Sequence, residues 1–254
     1  MKLITNGDDF GITRAANFGI IDCYKDGILK SCSMMVNMPG AEHAAQLMKE
    51  YPDFSVGIHL NLTVGKPLLK THKTLLKEDG TFNKGMLKDS EHVDVEEIRA
   101  ELYAQVEKYI ALTGKVPDHL NSHHGIEMIK GAEAIVCELS KKYDLPVRRF
   151  FTLPKGDHPD VDYKIPLMKF GGGSLGELST PKSLTELYTK EEIESEDIFE
   201  FALHPGYVDY EIFQISSLTV GRAYDAHVFL CEEAKQWVED NHIELIDYRD
   251  IPKK

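Results

Sequence analysis

Short β-type apolar runs alternate along this chain with longer segments whose apolar residues recur at helical spacing. Leu3 to Thr5 is the first such run and stops at Asn6-Gly7; Ser31 to Val36 and Ser55 to Leu60 read as the next two strands. His119 to Asn121 ends a fourth, and Val147 to Leu153, Phe199 to Leu203 and Ile243 to Asp247 follow. Between them lie helix-like segments at Arg14 to Lys25, with Thr13 as N-cap, at Glu42 to Tyr51, and at Val95 to Leu112, where Asp94 and Glu97 resemble a capping box. Ile135, Val136, Leu139 and Tyr143 mark another helix, and Tyr224 to Val238 a final amphipathic one. Parallel strands need crossover connections, so this alternation predicts a mainly parallel α/β sheet covered by helices. About seven strand–helix units favour an irregular, TIM-like (β/α) barrel over an open sheet. The whole chain, 1–254, reads as one domain, since barrels of ~250 residues are common.

Two stretches break the alternation. Residues 65–93 are polar and Lys-rich, with a small hairpin expected at Asp79-Gly80, and loops this long often serve as lids or binding loops. Gly171 to Gly176, in a loop of about 155–182, fits G-x-G-x-x-G. That fingerprint requires a preceding strand and a helix opening on it, and its place between Pro166 and Pro181 argues for a plain loop instead of a dinucleotide site.

A formal charge of −13 argues against nucleic acid as a partner, because phosphate neutralisation needs a cationic face. Cys23, Cys32, Cys137 and Cys231 form no C-x-x-C pair and are expected to be free thiols in a reducing compartment. MKLITNGDDF lacks the apolar core of a signal peptide, and no run reaches the ~18 apolar residues of a membrane span. A cytoplasmic location without membrane attachment is the expectation. The sequence does not fix the assembly, and a homodimer is compatible with it.

Four segments place titratable side chains at the ends of predicted strands: Asn6 to Gly11, Gly57 to Leu62, Asn121 to His124, and Leu203 to Gly206. In parallel α/β folds these ends converge on one face, where sites are built. Each has a plainer reading alone: Asp8-Asp9 as a turn or cap, His59 as a satisfied core histidine, His123-His124 as a bare pair, His204-Pro205-Gly206 as a turn. Together they suit a divalent ion held by Asp9, His59 and His123, with the adjacent Asp8 left to act as a base.

At these residues the chain resembles the YdjC-like carbohydrate deacetylases, the family that includes chito-oligosaccharide deacetylase. Asn6 to Gly11 looks like N-A-D-D-F-G, His119 to His124 like H-L-D-S-H-H, His204-Pro205 like the late H-P, and Tyr248-Arg249-Asp250 like Y-R-D. Gly57-Ile58-His59 and Gly65-Lys66-Pro67-Leu68 extend the likeness over nearly the whole chain. The resemblance implies a metal-dependent hydrolase that removes acetyl groups from short N-acetylglucosamine oligosaccharides, phosphorylated ones among them. It implies Asp9, His59 and His123 as metal ligands, Asp8 as general base and His204 as general acid. Magnesium is the family's usual ion, whereas two imidazoles favour zinc or another borderline metal. Asn121 stands where the family often has Asp, and Gly125 where it often has a third His. Arg148-Arg149 is the expected contact for a substrate phosphate; strand alternation lets only one point inward, and Arg149 is the candidate substrate-binding residue. Rival readings are a sugar-binding protein without turnover, and a metal-dependent hydrolase or isomerase of another small molecule.

Overall fold

The computed structural model describes residues 1–153, 156–170 and 177–254. In chain order the elements are β1 (Lys2–Phe10), α1 (Arg14–Asp26), β2 (Ser31–Met34), α2 (Ala41–Glu50), β3 (Ser55–Leu60), α3 (Val95–Thr113), β4 (Leu120–Ser122), α4 (Ala132–Tyr143), β5 (Leu167–Phe170), α5 (Lys182–Thr185), α6 (Lys190–Ile193), β6 (Ile198–Leu203), α7 (Ile212–Ile215), α8 (Gly221–Leu230), α9 (Glu232–Asp240) and β7 (Glu244–Ile246). The strands form one curled sheet in the order β4-β3-β2-β1-β6-β5, and β7 joins β1. Among the described residues the six strand pairings are all parallel. A parallel bridge from Leu120 to Val147 extends the β4 edge. Among the described residues nothing pairs that edge with β5, so the barrel is incomplete. The expected irregular parallel barrel is what the chain forms.

Burial explains the strand compositions. β3 is buried at every position, and so is β1 after Lys2, because helices cover one face and the barrel interior the other. Leu3, Phe10, Cys32, Val56, Ile58, Leu120, Phe199 and Phe201 belong to the main core, against which Ile20 of α1 and Ile98, Leu102 and Val106 of α3 pack. The interior is tight. An added Cβ on Gly57 would meet the His119 ring at 2.3 Å, so only glycine lets that buried ring lie against β3.

Several expectations are corrected. β1 does not stop at Asn6-Gly7 but runs on to Phe10, since pairing with β6 on one edge and β2 on the other overrides the local turn preference. Val147 to Leu153 forms no strand: β4 is only three residues long and supports a single bridge before the chain turns away. The final helix is two, broken at Cys231, where ψ is 150°. β5 and the short helices α5 to α7 had no periodic signal. Asp94 caps α3 through Glu96 N–H, but no box closes, because the Glu97 carboxylate accepts from the backbone of Lys73 and Thr74 and ties the 65–93 excursion to α3. The expected hairpin is present as an antiparallel bridge between Leu76 and Phe82. The Gly171 to Gly176 loop lies outside the described residues.

Candidate metal centre and active site

The site is built on an irregularity in β1. Between Gly7 and Phe10 the strand takes three steps while β2 takes two, from Cys32 to Met34, so β1 carries one extra residue. Asp9 absorbs it with φ at +68°, a conformation that aspartate tolerates better than most residues. In a regular strand neighbouring side chains point to opposite faces. The bulge instead brings both Asp8 and Asp9 to one cavity of about 770 Å³ at the carboxyl ends of the strands. His59 reaches it from β3. His123 follows β4, its backbone N–H bonded to Leu60 O at 2.8 Å, and His204 follows β6.

Asp9, His59 and His123 converge, as the sequence suggested. Asp9 Oδ1 lies 3.3 Å from His59 Nε2 and 3.1 Å from His123 Nδ1, and the two ring nitrogens are 3.3 Å apart. Asp9 Oδ1 is buried and has no partner in hydrogen-bond geometry. An ion ~2.1 Å from each atom of such a triangle would subtend angles of roughly 100°, between octahedral and tetrahedral values. The donor set therefore fits a divalent ion. Burial lowers the His123 pKa, which keeps that ring neutral as a ligand must be. For His59 burial also works against the charge, but the carboxylates of Asp8 and Asp9 outweigh it and raise its pKa. For Asp9 burial opposes ionisation, yet His123 and Arg222 hold its carboxyl well below the usual range.

Asn121 supports His59 at 2.6 Å from Nδ1. With its oxygen toward the ring it accepts Nδ1–H, the tautomer that frees Nε2 for an ion. With its nitrogen toward the ring it donates to Nδ1, and its oxygen takes Arg148 as donor at 3.2 Å. The metal-holding state requires the first orientation.

Asp8 is not a member of the triangle. Arg148 grips it with Nη1 to Oδ2 at 2.6 Å and Nη2 to Oδ1 at 2.8 Å, while Ser33 and Asn6 also donate to Oδ1. The same guanidinium bonds Glu200 through Nε and Nη2, and Tyr248 donates to Glu200 at 2.7 Å. Burial pushes the Asp8 pKa up, but Arg148 more than reverses this and leaves the carboxyl far below its ordinary value. His204 lines the cavity with a buried, unpartnered Nδ1, and its backbone N–H donates to Asp225 at 3.0 Å.

The structure brings Arg148 to the cavity, not Arg149, whose guanidinium bonds Leu153 O at 3.2 Å. Sequence reasoning missed Glu200, Arg222, Asp225 and Lys84. A signal existed for Glu200: a lone acid inside the apolar run Ile198 to Leu203, where it is fully buried. Gly125 has φ at +65°, and a Cβ there would come within 2.7 Å of the exposed Phe151 ring, so a histidine at this position would strain the backbone and require Phe151 to shift.

A curled parallel sheet carrying at its carboxyl edge an Asp-His-His cluster that could hold a divalent ion, with Asp8 and His204 beside it, defines an α/β protein with a candidate metal site. More narrowly, the chain belongs to the YdjC-like protein family, whose model matches residues 2–240. It is 36% identical over 252 residues to a carbohydrate deacetylase of Clostridium beijerinckii, covering 99% of this chain and 100% of the relative. It is 32% identical to a chitooligosaccharide deacetylase of Proteus mirabilis, over 98% of each chain. A crystal structure of a candidate cellobiose-phosphate cleavage protein from Enterococcus faecalis superposes with a TM-score of 0.82 at 26% identity, covering 97% of both chains. No helix among the described residues is long and apolar enough to cross a membrane.

Proposed function

We propose that this protein is a metal-dependent deacetylase that hydrolyses the N-acetyl group of short amino-sugar oligosaccharides and releases acetate. The observation that carries the reading is the Asp9-His59-His123 triangle in one cavity with Asp8 and His204. The names borne by the relatives in Clostridium beijerinckii and Proteus mirabilis support the substrate class. A bound divalent ion would supply Lewis acidity, lowering the pKa of a bound water and polarising the acetyl oxygen. Two imidazoles and one carboxylate suit zinc or a similar borderline ion, while magnesium remains the ion implied by family resemblance.

Asp8 holds its place through Arg148 and is ionised at any working pH. Its Oδ1 is crowded by four donors, from Asn6, Ser33, Asn121 and Arg148, whereas among the described residues Oδ2 takes only Arg148 Nη1, so Oδ2 is the oxygen with a lone pair for the water proton. A carboxylate held this far below neutrality is a weak base, so its role rests on position and would depend on the acidity that a bound ion would lend the water. His204 faces the same cavity and delivers the proton to the departing amine. The cavity walls contribute apolar contact for the sugar through Met128 and Phe151.

For a phosphorylated sugar the favoured contact is Lys84, not Arg149. Lys84 lines the cavity, its Nζ lies 3.3 Å from His124 Nε2, and no carboxylate pairs with it among the described residues. Burial lowers the His124 pKa to about 3, so that ring is a neutral neighbour to the ammonium. The test is acetate release from N-acetylglucosamine oligomers, with and without a 6-phosphate, by metal-free protein and after adding Zn²⁺, Co²⁺ or Mg²⁺. Turnover that needs the ion is expected; none with any ion or sugar would overturn the reading. Lys84→Ala should raise KM for the phosphorylated sugar alone, and an equal effect confined to Arg149→Ala would return the contact to Arg149.

A further inference from the structure

Asp9 offers an ion only one of its two oxygens. Oδ1 faces the histidines, while Oδ2 accepts Arg222 Nη2 at 2.7 Å. Arg222 is itself fixed and 1% exposed: Nε bonds Leu218 O at 2.9 Å, and Nη2 also reaches Ser216 Oγ at 3.4 Å. Its carbonyl accepts the N–H of Gly206 at 3.1 Å, so the backbone that carries the guanidinium is tied to the turn following His204. The Asp9 backbone is equally constrained, with φ at +68° and its carbonyl bonded to Ile12 N–H at 3.0 Å. Neither partner can swing away without breaking a buried charge pair.

A carboxylate can bind a divalent ion through one oxygen or both. A hydrolytic site needs positions left open for water and substrate oxygen. We infer that Arg222 is a positioning residue that holds Asp9 as a one-oxygen ligand and so keeps a coordination position open for substrate. This rests on the reading that an ion sits at Asp9, His59 and His123. The arrangement has a cost in affinity, since a guanidinium next to a cation site repels the cation and occupies a donor oxygen. Removing Arg222 should therefore move binding and turnover in opposite directions. A merely structural role would weaken both.

The test uses Co²⁺ alone as the binding probe, because its visible spectrum reports coordination number. Metal-free wild type, Arg222→Met and Arg222→Lys are titrated with Co²⁺, and acetate release is measured on the loaded proteins. Arg222→Met should bind Co²⁺ at least about tenfold more tightly, show the weaker visible absorption of a higher coordination number, and turn over roughly 10–100-fold more slowly. Arg222→Lys retains the charge and a donor, and should keep the wild-type spectrum with turnover lowered less than about tenfold. A folded Arg222→Met with wild-type spectrum and affinity, or with weaker affinity, would overturn the inference. If Arg222→Met does not fold, the lysine variant decides: a wild-type spectrum with turnover lowered by about a hundredfold or more would overturn it, because the damage would bypass the coordination. Wild type that takes up no Co²⁺ would remove the metal-site reading itself, an outcome distinct from a failure of Arg222 alone.

Discussion

Replacing Arg148 by methionine should be among the most destabilising single changes at the site. The guanidinium is buried and donates to two carboxylates, at 2.6 and 2.8 Å to Asp8 and at 2.6 and 2.9 Å to Glu200. Methionine fills most of the volume but leaves both acids buried without a countercharge. Removing one partner of a buried ion pair costs about 3–5 kcal/mol. The two pairs share one cation, so the costs do not simply add. Ser33 and Asn6 still donate to Asp8 and Tyr248 to Glu200, which offsets part of the loss. A net loss of about 4 kcal/mol at neutral pH follows. The sign with pH is fixed by the same argument. In the wild type Asp8 is held below its ordinary pKa, so its stabilisation is present above the carboxylate range and is lost as pH falls through it. In Arg148→Met the upward push of burial on Asp8 is no longer opposed by the guanidinium, so the deficit is largest at high pH and shrinks toward about pH 5. Urea unfolding of the metal-free proteins at both pH values measures this, and Arg148→Met/Glu200→Gln should recover about 1–2 kcal/mol by removing one stranded charge. A loss below about 1 kcal/mol, or one equal in the single and double variants, would refute the shared-cation account.

Other outcomes follow from the same geometry. His59→Ala and His123→Ala should each lose bound metal while remaining folded, as circular dichroism of the metal-free proteins would show; full metal occupancy in either removes that residue from the ligand set. Asp8→Asn should keep the ion, as measured by metal content, and lose about 10²–10⁴-fold in turnover. Because the metal-free His59 pKa is raised, protons should compete with the ion at a higher pH than for an ordinary imidazole. Metal affinity should thus fall as pH drops from about 8 to about 6, and a flat profile would contradict it. Asn121→Asp gives His59 Nδ1–H a charged acceptor and should tighten metal binding by up to about tenfold; unchanged affinity would show that the amide serves equally well.

The periodicity of the chain determined that strands and helices alternate in a parallel sheet, and hence that Asp9, His59, His123 and His204 share one face. That inference needs only the chirality and covering of βα units, which act locally and leave a regular trace in the sequence. The bulge in β1 left none. Asn6-Gly7 reads as a turn, but pairing on both edges holds these two residues in the strand, and pairing with β2 resumes at Phe10 across a bulge where Asp9 takes a positive φ that puts two consecutive acids into one cavity. The partners of those acids were likewise invisible. Arg148 lies 140 residues from Asp8 and Arg222 213 residues from Asp9, so nothing in local spacing could pair them. The ion pairs form because the barrel buries both carboxylates, and a buried charge requires a countercharge from whatever segment the fold brings alongside. Residue types at strand ends thus announced the candidate ligands. Tertiary structure alone decided which oxygen each acid presents and which arginine holds it there.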